Sequence, residues 1–227
     1  MGSTGNTANE QANSERREAA LIASSRLGDR IAFNALVELH QAGAYAVALR
    51  MLGDPDAAAD VTQDAFFSAF RAIGSFKGTS FKAWLYRIVS NGCFDYFRAH
   101  GRRPVSSLEE TLAADYEGDA AGAASDAHLP QSLIDPTWDP ERVALRAEQI
   151  AQIEAALLRL VPEQRLALVL SDVQGLSYEE IATIMGTSLG TVKSRIARGR
   201  AHLRDLLLRQ GELFGRQRRP GSGEVRE

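Results

Sequence analysis

A single cysteine, Cys93, stands among 227 residues, which excludes an internal disulfide and any zinc site built on clustered thiolates. The four histidines are scattered without ligand spacing, so neither a metal nor another cofactor is expected. No run approaches the roughly 20 apolar residues that span a bilayer, and residues 1–18 are polar throughout, unlike a secretory leader. A cytoplasmic chain with no membrane insertion is the expectation. An excess of positive charge is missing too: 26 Lys and Arg against 29 Asp and Glu leave a formal net charge of −3. Any affinity for nucleic acid must therefore rest on where the basic groups sit. Sustained period-two alternation is absent, which argues against a sheet, and no glycine loop of the phosphate-cradling kind occurs.

What the chain does have is helical periodicity. After a polar stretch over 1–17 that is expected to be disordered, apolar residues recur at three and four. A break at Gly28-Asp29 precedes a long helix carrying Phe33, Leu36, Val37, Ala44, Val47, Ala48 and Met51. Gly53-Asp54-Pro55 ends it, because proline and the residue before it resist helical continuation. A third helix runs from about Asp56 to Ile73, and a fourth from about Ser80 to His100 with Phe81, Trp84, Leu85, Ile88, Val89 and Cys93 along one face. Residues 18–103 read as a small helical bundle.

Residues 104–141 differ. They hold nine acidic residues, no Lys or Arg, and four prolines. That composition predicts a flexible acidic linker. A second helical module follows over 142–210, with Val143, Ile150, Ile153 and Leu157 on one helix and Leu166, Val169 and Leu170 on the next. The tail over 211–227 is Gly- and Arg-rich and is expected to be disordered. The fold class is all-α: two small helical domains joined by the linker.

The sharpest motif lies over 175–200. Ser177 with Glu180 three residues later forms a capping box, and Ile181, Ala182 and Met185 give a short helix its buried face. Gly186 supplies the left-handed turn of a tight helix–helix connection, and Ser188 can cap the next helix. Val192 and Ile196 turn that second helix toward a core. Residues 187–204 hold five Lys and Arg and no acid. A helix with small polar residues leading and basic groups beyond suits a DNA major groove, which makes Ser188, Thr191, Lys193, Ser194, Arg195, Arg198 and Arg200 the candidate contacts. Gly199 is out of place inside a helix, where glycine costs about 1 kcal/mol against alanine. It either admits a close backbone approach or ends the base-reading part.

Both modules resemble one family, the bacterial sigma factors of the sigma-70 type, in particular the extracytoplasmic-function (ECF) group. Leu160-Val-Pro-Glu-Gln-Arg165, Gly175-Leu-Ser-Tyr-Glu-Glu-Ile-Ala182 and Gly190-Thr-Val-Lys-Ser-Arg195 resemble region 4, which reads the −35 promoter element. Ala58-Ala-Asp-Val-Thr-Gln-Asp-Ala-Phe-Phe67 resembles the part of region 2 that docks on the clamp helices of the polymerase's largest subunit. Phe81-Lys-Ala-Trp-Leu-Tyr-Arg-Ile-Val-Ser-Asn91 and Asp95-Tyr-Phe-Arg98 resemble the part that melts and reads the −10 element. The resemblance covers roughly 18–103 and 142–209. It departs at Thr187, where the family usually has an apolar residue, and at Phe70, where it often has tryptophan.

The resemblance implies a non-enzymatic initiation factor that binds RNA polymerase core through the clamp helices and the flap, directs it to promoter DNA and assists melting. It also implies regulation by an anti-sigma factor, and a linker that runs through the polymerase near the RNA path. Asp60, Gln63, Asp64 and Phe67 would form the polymerase patch, an apolar centre with a polar rim. For the −10 element the candidates are Lys77, Phe81, Arg87, Asn91 and Arg98, from a stretch between Lys77 and Arg103 that holds six Lys and Arg, one acid and interleaved aromatics. Such a stretch suits single-stranded DNA. The alternative is a stand-alone helix-turn-helix regulator, which would leave the constellation over 54–100 without a role.

Overall fold

A computed structural model describes residues 4–78, 80–101 and 140–217, and every described element is helical, with no strand among them. The described residues divide into two compact units, one of residues 4–101 with 177–187 and the other of residues 140–176 with 188–217.

In the first unit α1 (Thr4–Arg26), α2 (Arg30–Leu52), α3 (Pro55–Ala72) and α4 (Phe81–Ala99) form the bundle, joined by α7 (Tyr178–Met185). α1 begins at Thr4, where a disordered tail over 1–17 was expected. Ala8, Glu10, Gln11 and Ala12 are good helix formers, and no proline interrupts them. The corners are set by caps. The Asp29 carboxylate accepts the Ile31 and Ala32 amides at 2.8 and 3.2 Å, and that of Asp54 accepts Asp56 and Ala57 at 2.9 and 3.2 Å. Gly53 closes α2 at φ 72°, a conformation that side chains resist. Ser80 Oγ accepts the Ala83 amide at 3.1 Å and starts α4.

These corners turn the apolar stripes of α2, α3 and α4 inward. Leu36, Val47, Met51, Ala58, Leu85 and Val89 are fully buried; burying a side chain of Val or Leu size contributes about 1.5–3 kcal/mol. Tyr86 is buried with them, which pushes its hydroxyl pKa up to about 12. The His40 ring lies 5.2 Å from that of Phe81 and hydrogen-bonds Glu18 at 3.0 Å, tying α1 to α2.

The second unit is built from α5 (Pro140–Leu157), α6 (Pro162–Leu168), a π-helical turn over Val169–Val173, and α8 (Leu189–Gln217). Ala156, Leu157, Leu166, Val169, Leu170, Val192 and Ile196 are buried. Arg165 is buried as well. It donates to the carbonyls of Leu158 and Leu160, so a cation closes the C-terminal end of α5, where unpaired carbonyls concentrate negative charge. Gly199 is where α8 meets α6. A Cβ there would lie 3.0 Å from Leu168 Cδ1 and 3.4 Å from the Gln164 carbonyl. The glycine therefore serves a close helix approach.

The linker expected over 104–141 lies outside the described residues, apart from Pro140 and Glu141, which open α5. Of the tail expected over 211–227, the part to Gln217 is helical and the remainder lies outside the described residues.

Candidate nucleic-acid interface

α7, the Gly186 turn and α8 follow each other as the sequence pattern predicts. Ser177 Oγ accepts the Glu180 amide at 3.2 Å while the Glu180 carboxylate accepts the Ser177 amide at 3.0 Å, a closed capping box. Gly186 adopts φ 62°. Ser188 Oγ then accepts the Thr191 amide at 3.2 Å and meets Thr191 Oγ1 at 2.9 Å, so the next helix starts on its expected cap.

Buried Val192, Ile196 and Gly199 define the inward side of α8. At about 100° per residue, the opposite side carries Ser194 and Ala197, with Lys193 and Arg198 on either flank. Lys193, Ala197 and Arg198 are exposed, whereas Thr191, Ser194 and Arg195 are half-buried. Ser194 Oγ donates to the Thr191 carbonyl at 2.9 Å. A search of the sequence for polar groups passes over Ala197. Around the helix its methyl sits between Lys193 and Ser194, and a methyl there can meet the C5-methyl of thymine. Arg200, also expected among the DNA contacts, is exposed, and its Nε and Nη2 donate to the two carboxylate oxygens of Asp172 at 3.1 and 2.7 Å. The partner lies 28 residues upstream, beyond the reach of local pattern.

On α4, Arg87, Asn91 and Arg98 are all exposed. Their spacing puts them within about 40° of the helix circumference and along about 16 Å of its length. Arg98 pairs with Asp95 on the same face, and Arg87 Nη1 donates to the Thr183 carbonyl of α7 at 3.4 Å. Lys77 is exposed just before the helix. Phe81 is the exception and corrects the expectation of a DNA contact. Only 1% of it is exposed, because the Ser80 cap turns the first residue of α4 inward. Its ring lies 6.1 Å from Phe76 and 5.6 Å from Trp84. The aromatics at this end of α4 form a core cluster.

On α3, Asp60, Gln63, Asp64 and Phe67 are all exposed and fall within about 100° of one face. Beside them a groove of about 820 Å³ opens between α2 and α3, lined by Phe33, Val37, Tyr45, Gln63, Phe66, Phe67 and Phe70. Phe67 is 57% exposed, a large apolar group left facing solvent at the groove's rim. Sequence pattern identifies the rim but not the groove, because half of its wall comes from α2.

Two capped helices in sequence, the second with a cationic outer face, together with a bundle that presents a second polar and basic stripe, make an all-helical protein with basic faces of the kind that suits nucleic acid. Comparison with known proteins makes this specific. Residues 36–103 match Sigma-70 region 2 and residues 150–203 match Sigma-70, region 4. The chain is 37% identical over 188 residues to the RNA polymerase sigma-H factor of Pseudomonas aeruginosa, covering 82% of this chain and 91% of that one. It is 38% identical over 182 residues to the ECF RNA polymerase sigma-E factor of Escherichia coli K12, covering 79% and 88%. Among solved structures it resembles CnrH in complex with the cytosolic domain of CnrY, with a TM-score of 0.56, 27% identity and coverage of 84% and 97%. It also resembles the sigma factor RpoE in complex with the anti-sigma factor NepR from Bartonella quintana, with a TM-score of 0.54, 29% identity and coverage of 77% and 96%. The chain belongs to the sigma-70 family, in its ECF group, and is a transcription-initiation factor of RNA polymerase. No helix among the described residues is long and apolar enough to cross a membrane.

Proposed function

We propose that the two exposed, positively charged helix faces, on α4 and on α8, read separate promoter elements while the α3 face holds the polymerase. α8 enters the major groove of the −35 element, with Lys193 and Arg198 reaching phosphates or base edges, Ser194 and Ala197 facing the bases, and Ser188, Thr191 and Arg195 supporting the leading end. The stripe of Arg87, Asn91 and Arg98 on α4, with Lys77 before it, tracks the separated strand of the −10 element. Asp60, Gln63, Asp64 and Phe67 dock on the clamp helices, and the neighbouring aromatic groove extends that surface. The chain acts in the cytoplasm, catalyses no reaction itself, and works through differences in binding energy. An anti-sigma factor silences it by covering these faces, a reading supported by its likeness to the sigma factor RpoE in complex with the anti-sigma factor NepR. The functional division is a −10 unit over 18–103 and a −35 unit over 142–210.

The observation that carries this reading is the exposure of both basic faces on helices whose opposite sides are buried. Reconstitution with core polymerase on a promoter library, followed by sequencing of the transcribed templates, tests it. Recovery of two spaced elements is expected. Arg198→Ala should weaken use of the upstream element, and Asn91→Ala should slow opening at the downstream one. Core enzyme that gains no start-site choice, or variants that leave both steps intact, would refute it.

A further inference from the structure

A recognition helix is useful only if its rotation about its own axis is fixed. α8 has a radius of about 5 Å with side chains, so a 10° roll moves a side-chain tip by about 1 Å. That is enough to spoil a hydrogen bond whose useful range is about 2.7–3.2 Å. Apolar packing of Val192 and Ile196 resists separation better than it resists roll, because dispersion forces have no preferred direction.

Two features on one stretch of chain resist roll. The α6 backbone at Gln164 and the Leu168 side chain press on Gly199, with a Cβ position 3.4 and 3.0 Å away. The next residue, Arg200, is gripped by Asp172 on the π-helical turn that continues α6, through bonds of 3.1 and 2.7 Å to both carboxylate oxygens. A planar two-point fork fixes direction as well as distance. Arg200 is 46% exposed and Asp172 is 18% exposed, so the pair sits at the edge of the unit, where an ion pair adds little to stability. Its geometry is worth more than its energy. Arg200 also lies about 110° from the middle of α8's outward face and about two turns beyond Lys193, and its fork onto Asp172 draws the guanidinium back toward α6.

We propose that Asp172 is a positioning residue for promoter reading: by forking onto Arg200 it sets the rotation at which α8 presents Lys193, Ser194, Ala197 and Arg198 to the −35 element. The inference rests on α8 being the −35 reader. It differs from a phosphate-binding role for Arg200 in what each substitution does. If Arg200 neutralised a phosphate, removing its charge would lower the slope of log K against log salt by about 0.9. A positioning pair leaves that slope unchanged and acts on base discrimination.

The test uses holoenzyme reconstituted from the full chain. The probes are a promoter duplex recovered from random DNA by wild-type holoenzyme and the same duplex with one −35 base pair exchanged. The ratio of their dissociation constants is the discrimination. Asp172→Asn and Arg200→Gln are each expected to reduce it about tenfold, within the usual range for one base pair. The double variant should be no worse than either single one, as for two halves of one device. The reversed pair, Asp172→Arg with Arg200→Asp, should restore part of the ratio, and melting temperatures should barely move. Unchanged discrimination in both single variants overturns the proposal, as does a fall of about 0.9 in the salt slope for Arg200→Gln or a lower melting temperature with discrimination intact. If wild-type holoenzyme recovers no upstream element, the −35 reading itself fails. Recovery with an unaltered ratio defeats only the role of Asp172.

Discussion

Replacing Gly199 with alanine sets two effects of known sign against each other. Alanine favours a helix interior over glycine by about 1 kcal/mol. Its Cβ at 199 would lie 3.0 Å from Leu168 Cδ1, 3.1 Å from Leu168 Cγ and 3.4 Å from the Gln164 carbonyl. Leu168 is itself buried, so its side chain has little room to yield, and overpacking of this kind costs about 1–3 kcal/mol. The crowding wins, and Gly199→Ala should destabilise the second unit by about 1 kcal/mol. In a Leu168→Ala background, already weakened by about 2–5 kcal/mol, the two close Leu168 contacts are gone, the Gln164 carbonyl at 3.4 Å is left in ordinary van der Waals contact, and the propensity gain decides. There the same Gly199→Ala change should stabilise. Urea unfolding followed by circular dichroism gives the four free energies of this cycle, and hydrogen exchange of α6 and α8 peptides localises the effect. A Gly199→Ala protein that gains about 1 kcal/mol in the parent background would show that α6 and α8 are not held at this distance, refuting the reasoning.

Other outcomes follow from the same geometry. Burial lowers the His40 pKa from 6.5 against the opposing pull of Glu18, with Lys82 lowering it further. The unfolded chain therefore binds the proton more tightly, and stability should be full above about pH 6.5 and fall as pH drops from there through the folded value. Urea midpoints between about pH 5 and 8 should show this slope, and His40→Gln should flatten it. Ser177→Ala removes the cap of α7 and should cost about 1 kcal/mol, read by thermal melting. Phe67→Ala should weaken core-polymerase binding about tenfold or more, as loss of an exposed aromatic anchor does; pull-down titration with core enzyme checks it. Lys193→Ala and Arg198→Ala should each lower the salt slope of −35 duplex binding by about 0.9, and Arg195→Ala by less, because Arg195 is half-buried.

Local chemistry was the most legible part of the sequence. Gly53-Asp54-Pro55, Ser177 with Glu180, and the Gly186–Ser188 turn act through near neighbours in the chain, so their meaning survives without a fold. Buried stripes such as Leu36, Val47 and Met51 were legible for the same reason. Phe81 was not: an aromatic among basic residues has the same composition whether it faces a base or a core, and only the Ser80 cap decides. Arg200 and Arg165 were not legible either. One finds its partner across 28 residues, and the other is a buried cation serving the end of a preceding helix. The start of α1 was hidden because its polar content points to disorder while its helix propensity points the other way.

The two-residue corner between α2 and α3 has a consequence for how the aromatic groove can change. Gly53 and Asp54 are both committed, one by its backbone sign and the other by its carboxylate, and no spare residue remains between the helices. The cleft width is thus inherited from the corner and cannot be tuned by lengthening a loop. A lineage that switched to a differently shaped binding partner would have to do so by exchanging side chains along the walls, at Phe33, Phe67 or Phe70, and insertions at 53–54 should be purged.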